Sequence, residues 1–244
     1  MDKIINLFNF ILRNFRVQII KSERMNDLLK IENDVEWQIT KNLSQAPKVA
    51  IKQVVEDCSS KKASAVVTAP ISKISLQLAG HVWPGHTELL AHLASPRKKL
   101  DVRMLLLSKK LLIVLNSTHL SLKQAILELN STKVLKTISI ANDWALRNNV
   151  KNPVIWLSAL NPHAGESGLL GYEEEKILSP VIKLAKEKNI HITGPWPADT
   201  LFMKVRNLSD TFPPRNMIVA LYHDQALIPF KIISNYQGVN FTSN

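Results

Sequence analysis

Three histidines occupy equivalent places in the sequence. His119 follows LLIVLNST, His163 follows VIWLSALNP and His223 follows MIVALY. Each comes just after an apolar run of strand character. In an open α/β sheet the ligand crevice lies beyond the carboxyl ends of the strands, so residues far apart in sequence converge there. Three neutral imidazoles make a donor set for a divalent cation that keeps positions open for a substrate. Any one of them alone reads as an ordinary loop histidine; the set, with glycine and carboxylate neighbours, points to a metal. PGHTE (84–88) offers His86 and Thr87 beside a helix start, a place suited to phosphate or carboxylate. NPHAGESGLLGYEEE (161–175) is a turn-rich loop, GPWPADT (194–200) brings Asp199 from a proline-braced loop, and YHDQALIPFK (222–231) supplies Asp224 and Lys231. Loop capping is the plain alternative for the two aspartates and a solvated cation for Lys231. The glutamates at 173–175 are explained by the favourable field at a helix N-terminus.

These residues need strands that end together and helices that return the chain. The runs at 64–69, 103–107, 111–115, 153–159, 191–194 and 216–222 have the apolar character of buried strands. Helical periodicity covers 48–60, 86–95, 121–130 with its continuation to Arg147, and 171–188. Alternation of the two predicts α/β layers around a mostly parallel sheet. Within 103–116, Lys109 and Lys110 split the apolar run into two strands around a basic turn. Six of the seven glycines fall in the histidine-bearing and turn segments, where backbone freedom and close approach are worth most.

The chain has 244 residues, 45% apolar and 21% charged, enough to bury a core and too apolar for a disordered chain. A single cysteine and the absence of CxxC pairs fit a reducing compartment, so the expected location is cytoplasmic. The apolar stretch at 4–12 is short and interrupted by Asn6 and Asn9, which suits neither a signal peptide nor a membrane span. Net charge is +11, and the excess is local: residues 61–110 carry nine Lys and Arg against two Asp and Glu. That cluster raises nucleic-acid binding as a reading, but few aromatics interleave with the cations, so neither a nucleic-acid nor a membrane partner is expected.

Seven blocks carry a resemblance. In chain order TAPISK (68–73), GHTELLAHL (85–93), STH (117–119), NPHAGESGLLGYEEEKI (161–177), GPWPADTLF (194–202), YHDQALIPFK (222–231) and GVNFT (238–242) resemble the 4-hydroxythreonine-4-phosphate dehydrogenase family of pyridoxal phosphate biosynthesis, over residues 60–242. The resemblance implies an isocitrate/isopropylmalate dehydrogenase-like two-domain α/β fold, with a reduced first domain (1–78) and a second domain (79–244) holding most of the site. It implies a homodimer with shared active sites, NAD or NADP without a GxGxxG fold, and a divalent ion (Zn, Mg or Co). His119, His163 and His223 match the metal ligands, with the partner subunit's His223 completing each set. His86, Thr87, Lys231 and Asn240 match substrate contacts, and Lys231, Asp199 and Asp224 match the catalytic groups. The implied reaction oxidises the secondary hydroxyl of 4-phosphohydroxy-L-threonine, and the resulting 3-oxo acid loses carbon dioxide to give 3-amino-2-oxopropyl phosphate. Two departures are plain: residues 1–50 lack the family's GDPxGIGPE-type loop, and its closing arginine and DHGTA-type motif do not precede Asn244. Alternative expectations are therefore a shortened, impaired remnant, or a relative acting on another hydroxy acid or a dihydrodiol.

Overall fold

A computed structural model describes residues 46–60, 62, 86–97, 100–207, 214–234 and 238–243. The chain divides into two compact units, Met1–Leu100 and Asp101–Asn244. The strand predicted at 64–69, the apolar segment at 4–12 and the boundary predicted between 78 and 79 lie outside the described residues.

In the first unit, helices α1 (Ala46–Ser59) and α2 (His86–Ala94) pack through Val55 and Leu89, with Leu90 and Leu93 partly buried beside them. Burial, and then the charge of Asp57, push the Cys58 thiol up from its ordinary range, which keeps it from the reactive thiolate form.

The second unit is built on a six-stranded sheet. Its strands are β1 (Arg103–Leu107), β2 (Leu112–Leu115), β3 (Val154–Ser158), β4 (Ile192–Trp196), β5 (Asn216–Ala220) and β6 (Val239–Ser243), in the order β4-β3-β5-β2-β1-β6. The four strands β4, β3, β5 and β2 are mutually parallel, while β1 and β6 add antiparallel pairings at one side. Parallel strands covered on both faces read as unbroken apolar runs, which is why LIVL and NMIVA show no polar alternation. Within β2, Leu112 and Val114 face one layer, with α4 (Ser131–Arg147) and α5 (Ser179–Glu187) supplying Ile138, Ala141, Val181 and Ala185. Ile113 and Leu115 face the other, where α6 (Ala198–Arg206) and α7 (His223–Ser234) supply Leu201, Val205, Ala226 and Phe230. Each buried Val, Leu, Ile or Phe among them contributes about 1.5–3 kcal/mol. The basic turn expected at Lys109 and Lys110 is a hairpin between β1 and β2: Ser108 Oγ accepts from the backbone N–H groups of Lys110 at 3.2 Å and Leu111 at 3.1 Å.

Three elements differ from the sequence reading. The helix expected from 121 to Arg147 is two, α3 (Leu122–Leu127) and α4, because Asn130 starts afresh as an N-cap, its Oδ1 accepting from Lys133 N at 2.9 Å. The helix expected over 171–188 opens as a π turn (Glu174–Leu178), where Ser179 N–H reaches Glu174 O five residues back, and only then runs on as α5. GPWPADT is not a loop: Gly194, Pro195 and Trp196 complete β4, and Asp199 lies in the first turn of α6. GVNFT, read only as a motif, forms most of β6.

Gly194 is where β4 depends on glycine. Its φ is +130°, and a Cβ there would stand 2.5 Å from the backbone oxygen of Leu157. That oxygen belongs to β3 and yields only if the strand moves. Gly194→Ala is therefore expected to cost about 2–3 kcal/mol; an unchanged midpoint in urea unfolding would contradict this reading of the strand end. Among the described residues no helix is long and apolar enough to cross a membrane.

Candidate active site

Because β4, β3, β5 and β2 run parallel, their carboxyl ends share one rim. In that order the chain beyond them carries Asp199, His163, His223 and His119. The strand-end positions read from the sequence are thus adjacent in space. His119 and His223 come closest, with ring centroids 6.2 Å apart and planes tilted by 44°. They line a hollow of about 310 Å3 together with Thr118, Leu120, Leu122, Tyr222 and Asp224. His223 opens α7, and its Nδ1 lies 2.7 Å from Asp224 Oδ1. A carboxylate only accepts, so Nδ1 donates, which in the neutral ring leaves the lone pair on Nε2. Asp224 sits in the first turn of α7, where the helix field favours its charge.

His163 stands on a strained turn. His163, Ala164, Glu166 and Ser167 have φ of 51°, 53°, 45° and 56°, with Gly165 at 81° between them, so five consecutive residues are left-handed. For non-glycine residues this costs roughly 1–2 kcal/mol each. The turn is held from one side by a buried carboxylate. Glu174 Oε1 accepts from Leu160 N and from Asn161 N, both at 2.8 Å, while Asn161 Nδ2 donates to Glu174 Oε2 at 2.9 Å and to Glu173 Oε2 at 2.8 Å. Glu174 and Glu175 lie in the first turn of the helix, as the helix-start reading expected; Glu174, 3% exposed, also anchors the His163 loop. The triplet of acids was the visible signal, but its partners 13 and 14 residues upstream were not.

The other candidates are spread out. His163, Asp199, Lys231 and Asn240 are not among the residues lining the hollow. Asp199 is exposed on α6, and Lys231 is exposed in the last turn of α7, about 12 Å along the helix from His223. Asn240 lies on β6 opposite Leu106, in the row of Ile113, two residues short of the carboxyl end of β2; its Nδ2 donates to Met104 Sδ at 3.2 Å. His86 and Thr87 open α2 in the first unit, as the helix-start reading expected, and their side chains lie outside the described residues. Among the described residues of this one chain, no three His, Cys, Asp or Glu side chains gather closely enough to hold a metal ion.

The family model described as Pyridoxal phosphate biosynthetic protein PdxA matches residues 5–244. The chain belongs to the PdxA family. It is 40% identical over 193 residues to the D-threonate 4-phosphate dehydrogenase of Salmonella typhimurium, covering 79% of this chain and 57% of that protein. It is also 40% identical over 195 residues to a 4-hydroxythreonine-4-phosphate dehydrogenase of Bradyrhizobium diazoefficiens, covering 79% and 55%. Among solved structures, a 4-hydroxythreonine-4-phosphate dehydrogenase from Klebsiella pneumoniae superposes with a TM-score of 0.73 at 36% identity, over 82% of this chain and 59% of that one. A terephthalate 1,2-cis-dihydrodiol dehydrogenase from Burkholderia xenovorans superposes with a TM-score of 0.64 at 25% identity, over 82% and 61%. The mixed α/β fold with its six-stranded sheet is that of the PdxA structures. The chain spans little more than half the length of these curated relatives.

Proposed function

We propose that this PdxA-family chain works as a metal-dependent, NAD(P)-linked dehydrogenase of a 4-phosphorylated 3-hydroxy acid, 4-phosphohydroxy-L-threonine, in pyridoxal phosphate biosynthesis. The observation that carries the proposal is that His119, His163 and His223 all emerge from one rim of the parallel strands, with Asp199 beside them. The donor set fits a divalent cation by its chemistry: His119, His163 and His223 supply imidazole nitrogens from one rim, and Asp224 orients the His223 ring. His119, His163 and His223 are the residues that would hold it, shared between two copies in a homodimer of isocitrate/isopropylmalate dehydrogenase-like subunits. Such a cation would supply Lewis acidity toward a secondary hydroxyl and the carbonyl it becomes, and NAD or NADP would be the hydride acceptor.

The chain's own residues have separate tasks. Lys231, His86 and Thr87 offset phosphate charge, and Asn240 contacts the substrate. Asp199 and Lys231 are the acid–base groups, and Asp224 holds the His223 ring. Oxidation removes a hydride from C3 and the proton from its hydroxyl; the 3-oxo acid then releases carbon dioxide and takes a proton at the carbon left behind, giving 3-amino-2-oxopropyl phosphate. A reducing, cytoplasmic setting suits a chain with one cysteine.

A second reading changes only the substrate. Relatives 40% identical to this chain are named for D-threonate 4-phosphate. That acid has the same carboxylate, secondary hydroxyl and terminal phosphate as 4-phosphohydroxy-L-threonine and differs by a hydroxyl in place of the amine at C2. NADH formation with each phosphorylated acid, and with a non-phosphorylated dihydrodiol, separates the readings. Turnover of the dihydrodiol alone would overturn the phosphate assignment.

A further inference from the structure

Past the last ladder bonds of the parallel strands, their carboxyl ends are joined by an unbroken run of hydrogen bonds. Ala159 N donates to Trp196 O at 2.8 Å, which ties the end of β3 to that of β4. Gln225 Nε2 donates to Ala159 O at 2.7 Å, and Leu221 N donates to Gln225 Oε1 at 2.8 Å, which ties β3 to β5. Ser117 Oγ donates to Leu221 O at 2.9 Å, which ties β5 to β2. Gln225 and Ser117 are both buried, at 7% and 5% exposure. The residues so pinned stand just before the histidines: Ser117 precedes His119 by two, Leu221 precedes His223 by two, and Ala159 precedes His163 by four.

The glutamine occupies a particular place in this run. β3 and β5 pair in register up to Leu157 opposite Val219, so Ala159 and Leu221 would face each other two residues further on. They do not pair directly. The side-chain amide of Gln225 stands between them, accepting from one backbone and donating to the other as an inserted peptide unit would. An interposed amide keeps these two strand ends further apart than a ladder rung of about 4.8 Å spacing allows. The rim therefore opens between β3 and β5 while Ala159 O and Leu221 N both stay satisfied.

We propose that Gln225, with Ser117, is a positioning residue that fixes the separation and direction of the strand ends bearing His163, His223 and His119. The inference rests on reading these histidines as cation ligands. It assigns the last residue of the YHDQ block a task distinct from those of His223 and Asp224.

The test compares Co2+ binding by the full-length wild-type chain and by Gln225→Glu, Ser117→Ala and Ile138→Val. Gln225→Glu keeps the shape and the acceptor for Leu221 N but turns an oxygen toward Ala159 O. Ile138→Val truncates the core beneath the sheet without touching the run. Visible Co2+ absorption reports ligand number and geometry, which a loss of stability alone does not move while the protein stays folded. The expected result is that Gln225→Glu and Ser117→Ala bind Co2+ about 10-fold more weakly or worse, with altered bands, while Ile138→Val keeps the wild-type spectrum and affinity. If Gln225→Glu fails to fold, Ser117→Ala decides. Wild-type affinity and spectrum in the rim variants would overturn the positioning role and leave the cation reading standing; a wild-type chain that binds no Co2+ would overturn both.

Discussion

His119→Ala is expected to weaken divalent-cation binding by about 100-fold or more and to abolish dehydrogenase turnover, with almost no change in stability. His119 is exposed at the end of β2, so truncation removes little buried surface, and surface changes of this kind stay within about 0.5 kcal/mol. Its ring is one of the two that meet at 6.2 Å over the hollow. With it gone, the proposed set of three imidazoles keeps two, and even the loss of a residue that only orients a ligand costs 10- to 100-fold in other sites of this kind. Calorimetric titration with Zn2+ alongside urea unfolding gives both quantities on one sample. A variant that keeps wild-type affinity would remove His119 from the site, and one that merely unfolds would make it structural.

The second large effect is at a buried residue that does not line the hollow. Glu174→Ala is expected to destabilise the second unit by about 3–5 kcal/mol, the range for breaking a buried charged network. Three hydrogen bonds to its carboxylate, at 2.8, 2.8 and 2.9 Å, are lost together. At roughly 1.5–3 kcal/mol each, they match in size the strain of the four non-glycine left-handed residues they face, at roughly 1–2 kcal/mol each. With the anchor removed, the turn relaxes toward right-handed dihedrals and carries His163 with it. Glu174→Gln should fall between, because it keeps one acceptor oxygen but points an NH2 group at Asn161 or at the backbone donors. Urea unfolding of the two variants checks the order; a Glu174→Ala midpoint equal to that of the wild type would show that the carboxylate does not hold the turn.

What the sequence made visible was a matter of pattern and position. Unbroken apolar runs marked β1, β2, β3 and β5 because a parallel sheet covered on both sides tolerates no polar face. The three histidines stood out because strand ends in such a sheet share a rim. Asn130 and Glu174 each do more than their local pattern shows, because the meaning of each depends on a partner. Asn130 looked like a polar position within a long helix until its side chain was seen to cap Lys133 N. Glu174 looked like an acid in a helix field until Leu160 and Asn161 were seen to donate to it. The task of Gln225 gave no signal, although the residue stands in the YHDQ block, since its partners lie four residues upstream, at Leu221, and 66 residues upstream, at Ala159. Periodicity shows which way a side chain faces; it does not show which backbone groups the fold leaves unpaired beside it.

The most direct test of the central claim is NADH formation by the purified chain with 4-phosphohydroxy-L-threonine, NAD and a divalent cation, run beside His163→Ala and beside wild-type protein stripped with chelator. Turnover by the metal-loaded wild type, lost in both comparisons, is the predicted result. Turnover that survives both the chelator and His163→Ala would contradict a cation held at the strand ends, and a folded, metal-loaded chain that oxidises none of the phosphorylated acids would contradict the dehydrogenase itself.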